Sequence, residues 1–273
     1  MTDEMQNSIG IMQGRVVPQT LERLQIFPER WEEEFRTARE LGFDHIELLD
    51  DKENRLRDLL KTQKQEVFAS VLNAGLQCTS LCADQLCRYS LLGNPVEFKE
   101  RIKDLLQLIE GQDGFVVVVP FFDENQLRSA EEFKQALAAL APFDRLLQQK
   151  GLRFALEVLL SAKDIMGSFE GFSFGAIGMC YDIGNSIGNG FPVREEIRSL
   201  GTLITHVHVK DKENGKNVRI GAHPKELGDA FGALKEIGYG GLLTLETCIT
   251  PVPAEEAKTN LETVKKLTRG IPL

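Results

Sequence analysis

Short apolar segments alternate with longer amphipathic segments along the whole chain. Eight of the apolar segments span seven or eight residues each, and many of their positions hold Val, Ile, Leu or Phe. Segments of this length and composition, bounded by turn residues, indicate buried β-strands. The predicted strands cover residues 7–14, 43–49, 76–83, 115–121, 153–159, 178–184, 205–211 and 242–248.

Between most of these strands, apolar residues recur at the three-to-four-residue spacing that predicts a helix with one buried face. Gly42 is expected to end the first helix as a left-handed residue. Pro142 is expected to break the fourth helix, because proline cannot donate the helical hydrogen bond. The predicted helices cover residues 29–44, 66–77, 96–114, 131–152, 224–241 and 254–267.

Strands that alternate with helices pair in parallel through right-handed crossovers. Eight such units within 273 residues predict an α/β protein built as a (β/α)8 TIM barrel, which we expect to form a single domain over residues 1–273. An open, doubly wound sheet is the competing fold. The sequence GIMQGR at the first strand does not match the glycine-rich loop GxGxxG of dinucleotide-binding sheets, so the barrel is preferred.

Composition limits the partners and the location of the protein. A net charge of −9 argues against binding of DNA or RNA, because nucleic-acid binding needs a basic surface. The five cysteines form no metal-finger pattern and are expected to be reduced thiols. No signal-peptide pattern and no apolar run of membrane-spanning length is present in the sequence, so we expect a cytoplasmic protein without membrane contact.

Acidic and histidine side chains, the types that bind metals, lie at or near the ends of the predicted strands five to eight. Glu157, Asp182 and Glu246 each end an apolar strand, while His206 and His208 share one face of strand seven. The active sites of TIM barrels lie at the C-terminal ends of the strands, so these side chains should meet in one buried ring. A single strand-end acid is more often a capping or salt-bridging group, but equivalent positions on four successive strands favour a metal site.

Three carboxylates and one imidazole form a mainly hard set of donors. Such a set suits one divalent cation, Mn²⁺ or Mg²⁺, for which Co²⁺ or Zn²⁺ can substitute. His206, two residues before His208 on the same face, is expected to orient a ligand from deeper in the barrel. The expected ligands are Glu157, Asp182, His208 and Glu246.

Further polar residues near the strand ends are candidates for substrate binding. For the charged candidates, a solvated position in a loop is as good an interpretation as substrate binding. For Glu47, an ion pair with Arg15 is the alternative to substrate binding. The glycine-rich stretch 184–190 does not match a phosphate-binding loop and is expected to be a mobile loop that covers the substrate. The candidates are Gln13, Arg15, Glu47, Asp84, Asn185, His206, Lys210 and Arg219.

The segments LEVLL, YDIGN, HVHVKD and LTLET, together with GIMQGR and ELGFDHIEL, resemble the xylose-isomerase-like TIM barrel superfamily over nearly the whole chain. The resemblance is to its sugar and sugar-phosphate isomerases and epimerases, in particular the ketose 3-epimerases. It implies that the four expected ligands bind one divalent metal and that the protein is an isomerase of a small carbohydrate. It also implies that Glu157 and Glu246 are the catalytic acid and base, which move a proton next to a carbonyl through a metal-bound enediolate.

Departures from the family pattern leave the substrate and the reaction type open. Asn185 stands where ketose 3-epimerases carry a histidine, and Asn214 stands where they carry an arginine, Arg219 being the nearest one. A metal-dependent dehydratase of the inosose or dehydroshikimate type starts with the same proton abstraction and is the main alternative. A non-catalytic sugar-binding barrel is a weaker alternative.

An abasic-site endonuclease shares the barrel fold, but the few histidines and the acidic net charge of this chain argue against a nuclease. Association into a homo-oligomer stays open.

Overall fold

The computed structural model describes residues 7–19, 25–248 and 250–269. Within them, eight parallel strands close into a barrel, which confirms the expected (β/α)8 fold. Each strand falls on one of the eight predicted segments. The barrel strands are β1 Ile9–Met12, β2 His45–Leu49, β3 Gln77–Cys82, β4 Val116–Pro120, β5 Arg153–Glu157, β6 Ile177–Asp182, β7 Ile204–Val209 and β10 Leu243–Leu245. Around the barrel they follow the order β1-β10-β7-β6-β5-β4-β3-β2.

Helices surround the barrel and cover the outer side of its strands. An antiparallel hairpin of two short strands, β8 Asp211–Glu213 and β9 Lys216–Val218, follows β7 at the C-terminal end of the barrel. The helices of the described residues are α1 Trp31–Leu41, α2 Arg55–Asn73, α3 Pro95–Leu108, α4 Ala130–Gln149, α5 Ala162–Phe169, α6 Ile183–Gly188, α7 Val193–Leu200, α8 Pro224–Glu236 and α9 Pro253–Arg269.

Two predictions about helices are wrong. Helix α4 runs through Pro142 without a break, because its buried face, which includes Leu140 and Phe143, packs on the barrel and outweighs the lost hydrogen bond. The stretch 184–190 is not a loop, since most of it belongs to α6. The side chain of Asp182 accepts a hydrogen bond from the backbone N–H of Asn185 and so begins this helix.

Other elements lie outside the predicted segments. Helix α2 begins at Arg55, eleven residues before its predicted start at residue 66, and bends where Gln63 leaves the helical conformation. Helices α5 and α7 span eight residues each, which is too short for a clear period in the sequence.

Gly42 ends α1 with φ 96°, as predicted, because a left-handed residue without a Cβ is free of strain there.

The barrel interior contains both polar and apolar side chains. Near the start of the strands, His45 donates or accepts hydrogen bonds with Ser8 and Thr244. Its ring fits because Gly10 has no Cβ, which would lie 2.1 Å from the ring. Buried apolar side chains on six of the strands form a separate cluster, which we call the floor of the strand-end site. This floor consists of Met12, Leu49, Cys82, Val116, Val118, Ala155 and Cys180.

Candidate active site

Four side chains from successive barrel strands converge at the C-terminal ends of β5, β6, β7 and β10. One donor atom from each lies within 4.8 Å of the corresponding atoms of the others, and all four residues are buried. The structure therefore brings together the set that the sequence analysis named as ligands. They are Glu157, Asp182, His208 and Glu246.

The two ring nitrogens of His208 face different groups. Nε2 is 2.9 Å from Oε1 of Glu47 and shares a hydrogen bond with it. Nδ1 lies 3.2 Å from Oε2 of Glu246 and 3.7 Å from Oε2 of Glu157, and it has no hydrogen-bond partner among the described residues. His208 thus presents an imidazole nitrogen, held from behind by a carboxylate, to the two glutamates.

The carboxylate of Glu47 also approaches His206. Its Oε2 is 2.7 Å from Nε2 of His206, at an angle too poor for a hydrogen bond, and the rings of the two histidines meet edge to face at 5.2 Å. Burial alone raises the pKa of Glu47, but the attraction of both imidazoles outweighs it and lowers that pKa well below its ordinary value. Pairing with Arg15 is wrong, since Glu47 is fully buried between the histidines.

Lys210 places an ammonium group among the acids. Its Nζ lies 2.6 Å from Oδ2 of Asp182 and 2.8 Å from Oε2 of Glu246, and the side chain is buried. Burial lowers the pKa of Lys210, but the two carboxylates outweigh burial and raise it well above its ordinary value. This lysine, predicted as a substrate contact, is therefore engaged with two of the four converging residues.

Asn185 links two of the acids. Its Nδ2 donates to Oδ2 of Asp182 at 2.8 Å and to Oε1 of Glu157 at 3.2 Å. Its Oδ1 accepts a hydrogen bond from Nζ of Lys212 at 2.8 Å. The residue that replaces the family's histidine thus lies in the site and has both ends of its amide occupied.

Glu246 accepts a second side-chain hydrogen bond, from a residue that was not predicted from the sequence. Nε2 of Gln25 donates to Oε1 of Glu246 at 2.7 Å, and Oε1 of Gln25 accepts from Nη2 of Arg15 at 2.7 Å. Nε of Arg15 donates to the backbone oxygen of Thr247 at 2.9 Å. Gln25 follows no strand and has no neighbouring pattern, so the sequence carried no signal for it.

The turn after β1 rests on another residue that the sequence analysis missed. Glu34 of α1 is fully buried, and its Oε1 accepts hydrogen bonds from the backbone N–H groups of Gly14 and Arg15 at 2.7 and 2.9 Å. Burial raises the pKa of Glu34 to about 7. In the same turn, Oε1 of Gln13 accepts from the backbone N–H of Leu49, while its Nε2 has no hydrogen-bond partner among the described residues.

Asp84 and Arg219 are the remaining candidates for substrate binding, and they differ in burial. Asp84 is buried after β3, burial raises its pKa to about 7, and its Oδ2 has no hydrogen-bond partner among the described residues. Arg219 is not brought into the cluster, because its guanidinium pairs with Glu256 and is largely exposed. His223 pairs with Asp211 at the start of α8.

The two glutamates of the cluster differ in their pKa directions. Burial and the nearby charges of Asp182 and Glu246 raise the pKa of Glu157, against the pull of His208 and Lys210. Burial also raises the pKa of Glu246, but Lys210 and His208 outweigh burial and lower it well below its ordinary value. The surroundings thus favour the neutral form of one glutamate and the charged form of the other.

A divalent cation fits this donor set on two observations. One is the chemistry of the donors, since three carboxylates and one imidazole with an atom of each within 4.8 Å of the others are oxygen and nitrogen ligands of the kind that divalent cations bind. The other is Nδ1 of His208, a buried nitrogen that faces the carboxylates and has no hydrogen-bond partner within the described residues, while Nε2 is fixed by Glu47 as metal-binding histidines require. The described part of the chain therefore contains a plausible metal-ligand cluster, Glu157, Asp182, His208 and Glu246.

Comparison with known proteins agrees with the fold. Residues 35–267 match the family described as the xylose isomerase-like TIM barrel. The chain belongs to this family. None of the helices within the described residues is long and apolar enough to span a membrane.

Relatives and structural neighbours in this family are sugar epimerases, a class of isomerases. L-ribulose-5-phosphate 3-epimerase UlaE of Salmonella paratyphi A is 24% identical over 237 residues, covering 80% of this chain and 82% of the relative. The apo structure of 3-keto-D-glucoside 4-epimerase YcjR from E. coli superposes with a TM-score of 0.73 at 20% identity, covering 96% of this chain and 100% of the neighbour. D-psicose 3-epimerase with D-tagatose, from Clostridium cellulolyticum H10, gives 0.73 at 16% identity, with 96% and 99% covered.

Proposed function

We propose that the protein is a divalent-metal-dependent epimerase or isomerase of a sugar or sugar phosphate, which removes and returns a proton next to a carbonyl. The observation that carries this proposal is the convergence of the four donor atoms within 4.8 Å, one of them an imidazole nitrogen that has no hydrogen-bond partner in the described part of the chain. The epimerases among its relatives support a carbohydrate substrate.

Under this proposal Glu157, Asp182, His208 and Glu246 hold the cation, which is Mn²⁺ or Mg²⁺ given the predominance of carboxylates. When bound, the cation supplies Lewis acidity that stabilises negative charge developing on the substrate's oxygen atoms. Glu47 fixes the His208 ring, so the ligand nitrogen needs no reorientation before the cation binds.

The two glutamates stand on opposite sides of the other two ligands. In the barrel order, β6 and β7 lie between β5, which ends in Glu157, and β10, which precedes Glu246. A substrate seated over Asp182 and His208 therefore has one carboxylate on each side. Under the proposal, one glutamate takes the proton from the carbon next to the carbonyl, and the other returns a proton to the opposite face.

Neighbouring groups orient the glutamates and leave atoms for the substrate. Lys210 and Gln25 each hold one oxygen of Glu246, which restricts its rotation. Nε2 of Gln13 and Oδ2 of Asp84 are buried and have no hydrogen-bond partner among the described residues. We propose that these two atoms bind hydroxyl groups of the sugar, as a donor and an acceptor.

Turnover assays with defined metal content test the proposal. Protein stripped with a chelator is incubated, with and without Mn²⁺, with ketoses, ketose phosphates and inososes, and the products are separated by chromatography. We expect an epimer or isomer only with Mn²⁺, and loss of turnover in Glu157→Gln but not in Glu40→Gln, an exposed glutamate of α1. An unsaturated product formed by loss of water would assign a dehydratase instead. Turnover that does not depend on metal would contradict the proposal.

A further inference from the structure

Cys180 lies directly beneath the four converging side chains. It is on β6, two residues before Asp182, so both side chains point into the barrel. The cysteine is 3% exposed and belongs to the apolar floor of the site, where it pairs in register with His206 of β7. Its thiol therefore lies inside the barrel, one layer below Asp182.

The thiol shares two neighbours with the four-residue set. One donor atom each from Glu157, Cys180 and His208 lies within 4.8 Å of the other two. Because Nε2 of His208 is bound to Glu47, Nδ1 is the nitrogen available to this group, and it is buried without a hydrogen-bond partner among the described residues. The cysteine is thus accompanied by a buried imidazole nitrogen that makes no hydrogen bond within the described residues and lies 3.2 Å from Oε2 of Glu246.

A thiolate, an imidazole and a carboxylate form a donor set different from that of the four-residue site. Zn²⁺ sites with an exchangeable fourth position commonly use three protein ligands of these types, and thiolate selects softer cations than carboxylate does. We propose that Glu157, Cys180 and His208 form a second cation position, specific for thiophilic divalent ions such as Zn²⁺ and Cd²⁺. On binding, the sulfur–metal bond forms and the thiol proton is released to solvent.

The two positions exclude each other because they use the same side chains. One imidazole nitrogen coordinates one cation at a time, so an ion on Cys180 removes His208 from the four-residue site. It also takes Glu157, the proposed acid or base, away from the substrate. A thiophilic cation is therefore an inhibitor that competes with Mn²⁺. This inference goes beyond the proposed function and does not need the protein to be an epimerase.

Sulfur-to-cadmium charge-transfer absorption in the ultraviolet reports a thiolate ligand directly. Cd²⁺ is titrated into chelator-treated protein in which the half-buried Cys78 and Cys248 are replaced by serine. We expect a band that saturates at about one equivalent, as the single proposed site requires. Cys180→Ser should abolish the band. Cys82→Ser is the matched control, since Cys82 is buried in the same floor but belongs to no group of ligand atoms, and it should keep the band.

Several results would overturn the inference. One is Cd²⁺ binding that calorimetry detects in the protein with serine at positions 78 and 248 while the charge-transfer band is absent. This measurement does not require a Cys180 variant to fold. Another is a band that persists in both Cys180→Ser and Cys180→Ala. Electron paramagnetic resonance of Mn²⁺ separates this inference from the proposed function: Cys180→Ser should still bind Mn²⁺, and displacement of that Mn²⁺ should need a higher Cd²⁺ concentration than in the protein that keeps Cys180. A band without any Mn²⁺ binding would reject the proposed function while supporting the thiolate position.

Discussion

Glu47 contacts two histidines with its two carboxylate oxygens, and only one of them is a proposed ligand. The 2.9 Å hydrogen bond to Nε2 of His208 fixes both the ring orientation and the nitrogen that is left for a cation. The approach to His206 at 2.7 Å secures the carboxylate from the other side. A single side chain on β2 therefore sets the geometry of a ligand on β7.

Replacement of Glu47 by glutamine should weaken metal binding without removing a ligand. The amide keeps the size of the side chain but loses the charge that orients His208, so we expect Mn²⁺ affinity to fall by roughly 10- to 100-fold. Titration calorimetry measures the change, with Glu40→Gln as the exposed control. Equal affinities in the wild type and Glu47→Gln would show that this carboxylate does not support the site.

The sequence predicted the four converging side chains better than the groups that contact them. Glu157 and Asp182 could be found because each ends an apolar strand, and the barrel fold itself brings strand ends together. Gln25 and Glu34 could not, because their contacts join a connecting segment and a helix to distant parts of the chain. Such contacts depend on three-dimensional packing and leave no local periodicity in the sequence.

At the scale of elements, the turn after β1 is held by a carboxylate of α1. Glu34 accepts the N–H groups of Gly14 and Arg15, and Arg15 continues through Gln25 to Glu246. Because burial raises the pKa of Glu34 to about 7, the folded protein binds its proton more tightly than the unfolded chain, whose ordinary value is 4.5.

Glu34 should therefore make the stability of the protein depend on pH. Between about pH 4.5 and pH 7 the folded state keeps a proton that the unfolded chain has lost, so this stabilisation is present at low pH and is lost as the pH rises. The slope is about 1.4 kcal/mol per pH unit. Urea unfolding with chelator at pH 5 and pH 7.5 should show Glu34→Gln gaining stability relative to the wild type at the higher pH. Parallel profiles for the two proteins would contradict this.

Helix α4 shows how packing overrides a local signal. Pro142 is exposed in the middle of this helix and removes one backbone hydrogen bond, yet the helix continues to Gln149. Sequence alone predicted a break, because the cost of proline is local and visible. The compensating burial on the barrel depends on residues spread over several turns.

Replacement of Pro142 by alanine should stabilise the protein. Alanine restores the missing N–H donor and removes the clash with the preceding turn, which is worth about 1–3 kcal/mol in a helix interior. Thermal unfolding should therefore occur at a higher temperature. Pro251→Ala, an exposed proline outside the helices, is the control and should change the midpoint little. An unchanged or lower midpoint in Pro142→Ala would show that the helix has already adapted to proline.

For the whole molecule, the concentration of buried charge at one end of the barrel costs stability. Glu157, Asp182 and Glu246 are all buried there around the ammonium group of Lys210, and taking such groups out of water is costly. The barrel could be predicted from the eight alternating units, whereas the hairpin β8–β9 and the short helices α5 and α7 could not, because their segments are too short to show a period.

A bound cation should therefore stabilise the whole protein. Mn²⁺ at about 100 times its dissociation constant should add about 2.7 kcal/mol to the free energy of unfolding, provided that it binds only the folded state. Differential scanning calorimetry should show this gain in the wild type and not in Asp182→Asn, whose amide can still accept the helix-starting hydrogen bond. A gain of equal size in this variant would place the cation elsewhere.

Deuterium exchange at the carbon next to the carbonyl tests the central claim most directly. The protein is incubated with Mn²⁺ in D₂O and the panel of ketoses, ketose phosphates and inososes, and proton NMR follows the loss of the signal. The proposed chemistry predicts exchange that requires Mn²⁺ and falls at least about 100-fold in Glu246→Gln, the size expected for loss of a proton-transferring group. Exchange that proceeds without metal, or equally fast in Glu246→Gln, would contradict it.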